Sequence, residues 1–457
     1  MNCRPYTKLL LERAPLLIAI ALLIVNLPRP AYSQGATSAE RDQARTMLRT
    51  IKEEIKKSFY DASFHGMDLE ARFKEAENRI RQAQSQSQLY GILAQVMQDL
   101  DDPNTFFLSP AFFRIVDYGF SLIMIGDKCF VNAVKPGSDA EMKGLKLGDE
   151  VLDIAGYAPT RRIAWQIKYG LFLGRPRGVL PVAVQSAGSQ PRRLEISSRA
   201  LLPNVIHVDR EGNTSADSKL EKLDKELKSE RLEINSEVML WKSYTLSDEE
   251  RVADGFKKAR NYESLIIDLR DCNESFGAGD SFESIRKLQE FISYLFDRDI
   301  KIADVKKRKE IKSLLAKTRG DNVFRGKLVV IINSVTSGAA ELFARIIQLE
   351  KRGKVIGDRS QGATRLNTGS LEFTESGVNS GVVYGISISD RELILSDGQS
   401  LDGVGVTPDK VILPTAADLA SKRDPVLSDA AGLLDVRLSP GRAGSLLKPI
   451  SYTLWTK

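Results

Sequence analysis

The chain has 457 residues, 42% apolar and 28% charged, with a formal charge of +6, an ordinary globular composition with length for two to four domains. Residues 1–33 hold four basic residues and one acid, so the remainder sits near +3 and no nucleic-acid partner is implied. Two histidines (His65, His207) and three cysteines (Cys3, Cys129, Cys272) without paired spacing argue against a metal centre, and no metal or cofactor is expected.

Taken in chain order, the first pattern is that of an export signal. Arg4, Lys8 and Arg13 precede the apolar run Leu16 to Val25, and Ala31-Tyr32-Ser33 fits a small-x-small cleavage site. The run is short for a membrane span, which needs roughly 20 residues. Cleavage near Ser33 would leave an exported chain, periplasmic or extracellular, that does not span the membrane.

Residues 34–112 read as a helical region. Met47, Ile51, Ile55, Phe59 and Tyr60 form a stripe at helical spacing, and Leu89, Ile92, Leu93, Val96 and Met97 form another. The intervening "RQAQSQSQ" reads as a solvated helix face. Pro103 and Pro110 end the helical pattern. Residues 113–202 change to short apolar runs between glycine turns, a small β-rich domain with capping helices. Residues 203–235 are a charged connector, with Leu220, Leu223 and Leu227 at the spacing of a short amphipathic helix.

Residues 236–420 alternate strand and helix. "EVMLWKSYTL", "SLIIDLR", "GKLVVIINS" and "KVIGD" read as strands, with "DEERVADGFKKARN", "SFESIRKLQEFISYLF" and "AAELFARIIQLEK" as helices between them. "VVYGISISDRELIL" reads as late strands, and "GVGVTPDKVIL" as a closing turn and strand. Residues 421–457 are left as a C-terminal tail. The expected fold class is multidomain α/β.

Four stretches together resemble the carboxyl-terminal processing peptidases, or tail-specific proteases, a serine-peptidase family with an inserted PDZ domain. They are "LDDPNTFFLSP", "VNAVKPGSDAEMKGLKLGDEVLDIAG", "LIIDLRD" and "GVGVTPD", in family order. The resemblance implies a PDZ-like domain and a crotonase-like α/β peptidase core. It also implies peptide or protein C-termini as partners. A PDZ domain adds a peptide as a strand and catches its carboxylate on backbone amides, here those of Tyr118, Gly119 and Phe120.

The family acylates its substrate through a serine activated by a lysine. Glu341 sets the register, and the serine position falls on Gly338. The lysine position falls on Ala363, and a supporting acidic position on Leu349. Asn104 stands where the family commonly has histidine, and the glycine pair that shapes the oxyanion loop is displaced to Gly277 and Gly279. The expectation is an exported binder of C-termini with lost or much reduced proteolysis. The alternative is an active serine endopeptidase in which Ser337 attacks with a non-standard base; otherwise Ser337 serves the turn or caps the helix that follows.

Overall fold

The computed structural model describes residues 36–110, 116–171, 177–200, 207–208, 214–215, 229–246, 249–273, 281–375 and 381–447. The export-signal pattern, Leu220 to Leu227, and Gly277 with Gly279 lie outside the described residues. Among the described residues, no helix is long and apolar enough to cross a membrane.

The helical region forms α1 (Ser38–Ser58), α2 (Leu69–Gln82) and α3 (Gln86–Gln98). The stripe residues Met47, Ile51, Ile55 and Phe59 are wholly buried. "RQAQSQSQ" is a joint between helices rather than one face: α2 stops at Gln82, and Ser85 caps α3 by accepting the Gln88 N–H. After the proline break comes the short strand β1 (Phe106–Leu108).

The next module is a five-stranded antiparallel sheet. Its strands, paired in chain order, are β2 (Phe120–Ile125), β3 (Lys128–Val134), β4 (Glu150–Ile154), β5 (Val179–Gln185) and β6 (Arg192–Ser197). The short helix α4 (Asp139–Met142) follows β3, capped by Ser138, and α5 (Ala164–Tyr169) follows β4. β2 is therefore an edge strand, paired on one side only in that sheet.

The main sheet runs β7-β8-β9-β12-β13-β16. These are Ser229–Glu233, Val238–Ser243, Ser264–Asp268, Lys327–Ile332, Lys354–Gly357 and Lys410–Val411. Ser229–Glu233, inside the charged connector by sequence, is its outer strand. Only β7 runs antiparallel to its neighbour. A parallel sheet must be covered on both faces. α6 (Glu249–Ala259), α7 (Ser281–Ser293) and α8 (Ala339–Leu349) contribute to the core on one face. The tail supplies the other cover: α10 (Pro425–Gly432) and α11 (Pro440–Leu446), following α9 (Ala416–Ala420), contribute Val426, Leu427, Ala430, Ala431 and Ala443. A second sheet holds the hairpin β10 (Ile300–Lys306) and β11 (Ile311–Ala316), with β14 (Leu366–Glu375), β15 (Gly381–Ile394) and β1.

The five-stranded module is held against the core by a buried ion pair. Arg161 pairs with Asp358, with side chains only 14% and 9% exposed. Arg161 also donates to the carbonyls of Gly126 and Arg359, and Asp358 accepts the Gly126 N–H. The Ser334 hydroxyl donates to Met124 O at 2.6 Å. On the opposite side, Tyr169 donates its hydroxyl to Phe107 O and accepts the Phe107 N–H. Removing one member of a buried pair strands the other charge. Asp358→Ala is expected to lower stability by about 3 kcal/mol and to expose the Ile125–Lys128 turn to protease. An unshifted denaturation midpoint would show that the pair does not hold the modules together.

Candidate functional site

The turn between β12 and α8 is fixed by one asparagine. Asn333 Oδ1 accepts the N–H groups of Asp271, Val335 and Thr336, while Thr336 Oγ1 accepts the Asn333 N–H and donates to Leu269 O. Ser337 follows, fully buried. Its N–H donates to Cys272 O, and its hydroxyl donates to Asn273 Oδ1 at 3.0 Å. It does not cap α8. The N-cap is Gly338, at φ 62° and ψ −128°, a backbone that strains any residue with a Cβ.

The dominant feature is Glu341. It is completely buried, and each carboxylate oxygen accepts two hydrogen bonds. Oε1 takes the Ser360 hydroxyl at 2.5 Å and the Gly362 N–H at 2.6 Å. Oε2 takes the Gly338 N–H at 3.0 Å and the Ala363 N–H at 2.9 Å. One oxygen thus bridges the two positions to which the resemblance assigns nucleophile and base. Burial pushes this carboxyl up to about 7, against the pull of its four donors.

Gly338, Ala363 and Asn104 line one cavity of about 30 Å³, room for a single water. Asn104 is anchored by donating its side-chain amide to Arg365 O at 2.8 Å and its N–H to Asp102 Oδ1. Its Oδ1 and the Thr364 Oγ1 are buried on the same cavity's residues without a partner among the described residues. Three of the family positions therefore meet in space. Leu349 does not join them, since it ends α8, about 16 Å along the axis at 1.5 Å per residue. Lys351 and Lys354 are exposed beyond it.

A cleft of about 750 Å³ lies between β2, α5 and the core loop at 359–362. Phe120 to Met124 of β2 form one wall. Ala164, Ile167, Lys168 and Leu171, at helical spacing, form the other. Lys168 is a site residue that sequence reading passed over, although that spacing was its available signal. Burial on the apolar wall pulls its ammonium down to about 8. His65 also faces the cleft, in a turn where Phe64 and His65 both have positive φ. Its ring bonds Leu100 O at 2.8 Å and the Tyr60 hydroxyl. His207 lies in a two-residue strand pair.

Of the three expected carboxylate-binding residues, only Phe120 lines the cleft. Tyr118 is buried, its hydroxyl donating to Arg177 O. The Gly119 N–H is donated to Asp117 Oδ1 at 2.7 Å, and Asp117 is itself neutralised by Lys135 at 2.6 Å. Lys135 N–H donates to Gly119 O. Bonded and non-bonded pairs alternate along an antiparallel ladder, so the next pair, Phe120 with Val134, turns the Phe120 N–H to the open edge.

Residues 238–412 match the family model described as Peptidase family S41. The chloroplastic C-terminal processing peptidase of Tetradesmus obliquus is 22% identical over 404 residues, spanning 82% of this chain and 79% of its own length. Mature CPAF complexed with lactacystin superposes with a TM-score of 0.60 at 13% identity, covering 84% of this chain and 96% of that one. Mature CPAF alone gives 0.60 as well, with 95% of its length covered. These matches support the motif-level resemblance to the tail-specific peptidases, and the structural ones show a shared fold.

The Glu341 cage has a pH signature. Its folded carboxyl titrates near 7 and its unfolded one near 4.5, so between these values the folded chain holds the extra proton. Its contribution is complete below pH 4.5, falls by roughly 3 kcal/mol as pH rises to 7, and then levels off. Glu341→Gln should be destabilised by about 2 kcal/mol or more at every pH, because its NH2 faces two N–H donors. Subtracting the Gln variant's stability from that of the wild type should isolate this slope, because the variant has no carboxyl titrating there. Parallel urea-denaturation curves from pH 4 to 8 for the two proteins would refute the shift.

Proposed function

We propose that this protein binds the C-terminal segments of peptides or proteins as an added strand along β2, in a PDZ-like groove, and does not cleave them. The observation that carries the reading is the cleft between the open edge of β2 and α5, which leads to the core loop beside Gly338 and Ala363. Edge-strand addition supplies main-chain hydrogen bonds, and pockets on alternate positions supply selectivity. The terminal carboxylate would sit at the Phe120 N–H, with the Lys168 ammonium on the facing wall. The relative from Tetradesmus obliquus is named as a C-terminal processing peptidase, which supports C-termini as the ligand class. The signal pattern of residues 1–33 supports an exported site of action.

The absence of cleavage follows from side chains. A glycine cannot attack, and an alanine cannot take a proton. Ser337 is one residue away, with its hydroxyl directed at an amide oxygen, which is not a useful base at neutral pH. Under this reading a fluorophosphonate probe leaves the folded protein unlabelled. Labelling that disappears in Ser337→Ala would instead establish the serine-peptidase alternative.

Binding is tested by titrating paired peptides with free and amidated C-termini. The free form should bind about tenfold more tightly, the scale of one charge-assisted contact. Asp117→Ala should widen that ratio, because it removes an anion near the carboxylate site and leaves the Lys135 ammonium unpaired. Equal affinity for the two peptides would remove carboxylate capture.

A further inference from the structure

The groove has a direction, and its far end is cationic. A peptide whose C-terminus lies at Phe120 must run antiparallel to β2, so its upstream residues pass Met124 and reach the core. That end is marked by Arg161, whose side chain is consumed by Asp358 and by the carbonyls of Gly126 and Arg359. The neighbours of this clamp on either side are Arg162 and Arg359. Both line the cleft and both are exposed. Among the described residues Arg162 has one long ionic contact, 3.5 Å to Asp101, with its side chain 83% exposed. The Arg359 guanidinium makes no hydrogen bond or ion pair to a described residue.

The acids around the cleft offset only part of this. Asp99 is engaged by Arg72 and by Gln95. Asp402 accepts the N–H groups of Thr364 and Arg365 and stands 3.4 Å from the Arg365 guanidinium. Asp101 is the acid that faces Arg162. Against that one half-exposed acid, the two exposed arginines leave the rim net positive toward an incoming chain.

We propose, building on the C-terminus-binding reading, that this end of the groove selects ligands with acidic residues upstream of the C-terminus. The six residues of β2 span roughly 20 Å at about 3.3 Å each. An acidic stretch roughly six to eight positions before the terminal residue then lies between Arg162 and Arg359. Terminal residues supply the strand pairing and apolar contacts, and the acidic stretch supplies orientation and speed of encounter. The class of partner is a protein with an extended, acidic C-terminal tail ending in apolar residues.

The test uses the full chain and three labelled twelve-residue peptides. All share one apolar C-terminal hexapeptide with a free carboxylate. They differ in the preceding three residues: Asp-Glu-Asp, Ser-Gly-Ser or Lys-Arg-Lys. Anisotropy titration at low salt should rank them acidic, neutral, basic, with about three- to tenfold between acidic and neutral, since each exposed pair contributes modestly. The ratio should shrink as salt rises, a measurement that needs no variant. Arg162→Glu combined with Arg359→Glu should abolish or invert the ranking. Equal binding of all three peptides overturns the charge selection and leaves the C-terminus-binding reading standing. A preference that survives the double substitution overturns the assignment to these arginines. Failure of every peptide to bind overturns the underlying reading, and this inference with it.

Discussion

The site is organised around a carboxylate that has no contact with water. Glu341 lies in the first turn of α8, and its four donors come from the helix start and from residues 360–363. A buried charge is tolerated only when its lone pairs are filled, and here they are. The consequence is geometric. The start of α8 and the loop after β13 cannot move apart without stranding that carboxylate. The floor of the site is therefore fixed by a side chain that is itself wholly buried.

The same loop carries the module that forms the cleft. Asp358 receives Arg161, and the turn before α8 offers Ser334 to Met124. β2 and α5 are thus positioned by contacts that begin within a few residues of the Glu341 cage. The edge strand β2 and the small cavity at Gly338 are tied into one frame of contacts. The cleft between them is an outcome of that frame, with the exposed cations Arg162 and Arg359 at its rim.

The main sheet was legible because its strands are unbroken apolar runs. Trp241, Ile266, Ile267, Val330 and Ile331 are wholly buried between two helical layers, and such strands have no polar face to disguise them. The β10–β11 hairpin was not legible. "KIADVKKRKEIKSLLA" is charged, because the hairpin's outer strand β11 is a sheet edge with one wet face. At the site, the sequence located the turn and the convergence of Gly338 with Ala363, but not what holds them. In the sequence Glu341 serves only to set the register, and the fold shows it buried. Nor could the sequence pair Ser337 with Asn273, 64 residues away. The claim of Asp117 on Gly119 was closer to hand, since an aspartate commonly folds back on an amide two residues on. Leu349 fell on the family's acidic position by alignment alone, and the axial rise of α8 takes it out of reach.

The cavity of about 30 Å³ at Gly338 also bears on how freely this chain could drift toward hydrolysis. A serine at 338 must accept φ 62°, a strain of about 1–3 kcal/mol, and without a base it gains no chemistry. A lysine at 363 must find space for four methylenes where there is room for one water, and without a nucleophile it too gains nothing. Each substitution is a loss when made alone, and only the pair together with a wider pocket would be a gain. On the non-hydrolytic reading, the packing around this glycine and alanine acts as a ratchet: neutral drift at the surface can reshape the groove indefinitely, while the route back to a peptidase stays closed to single steps.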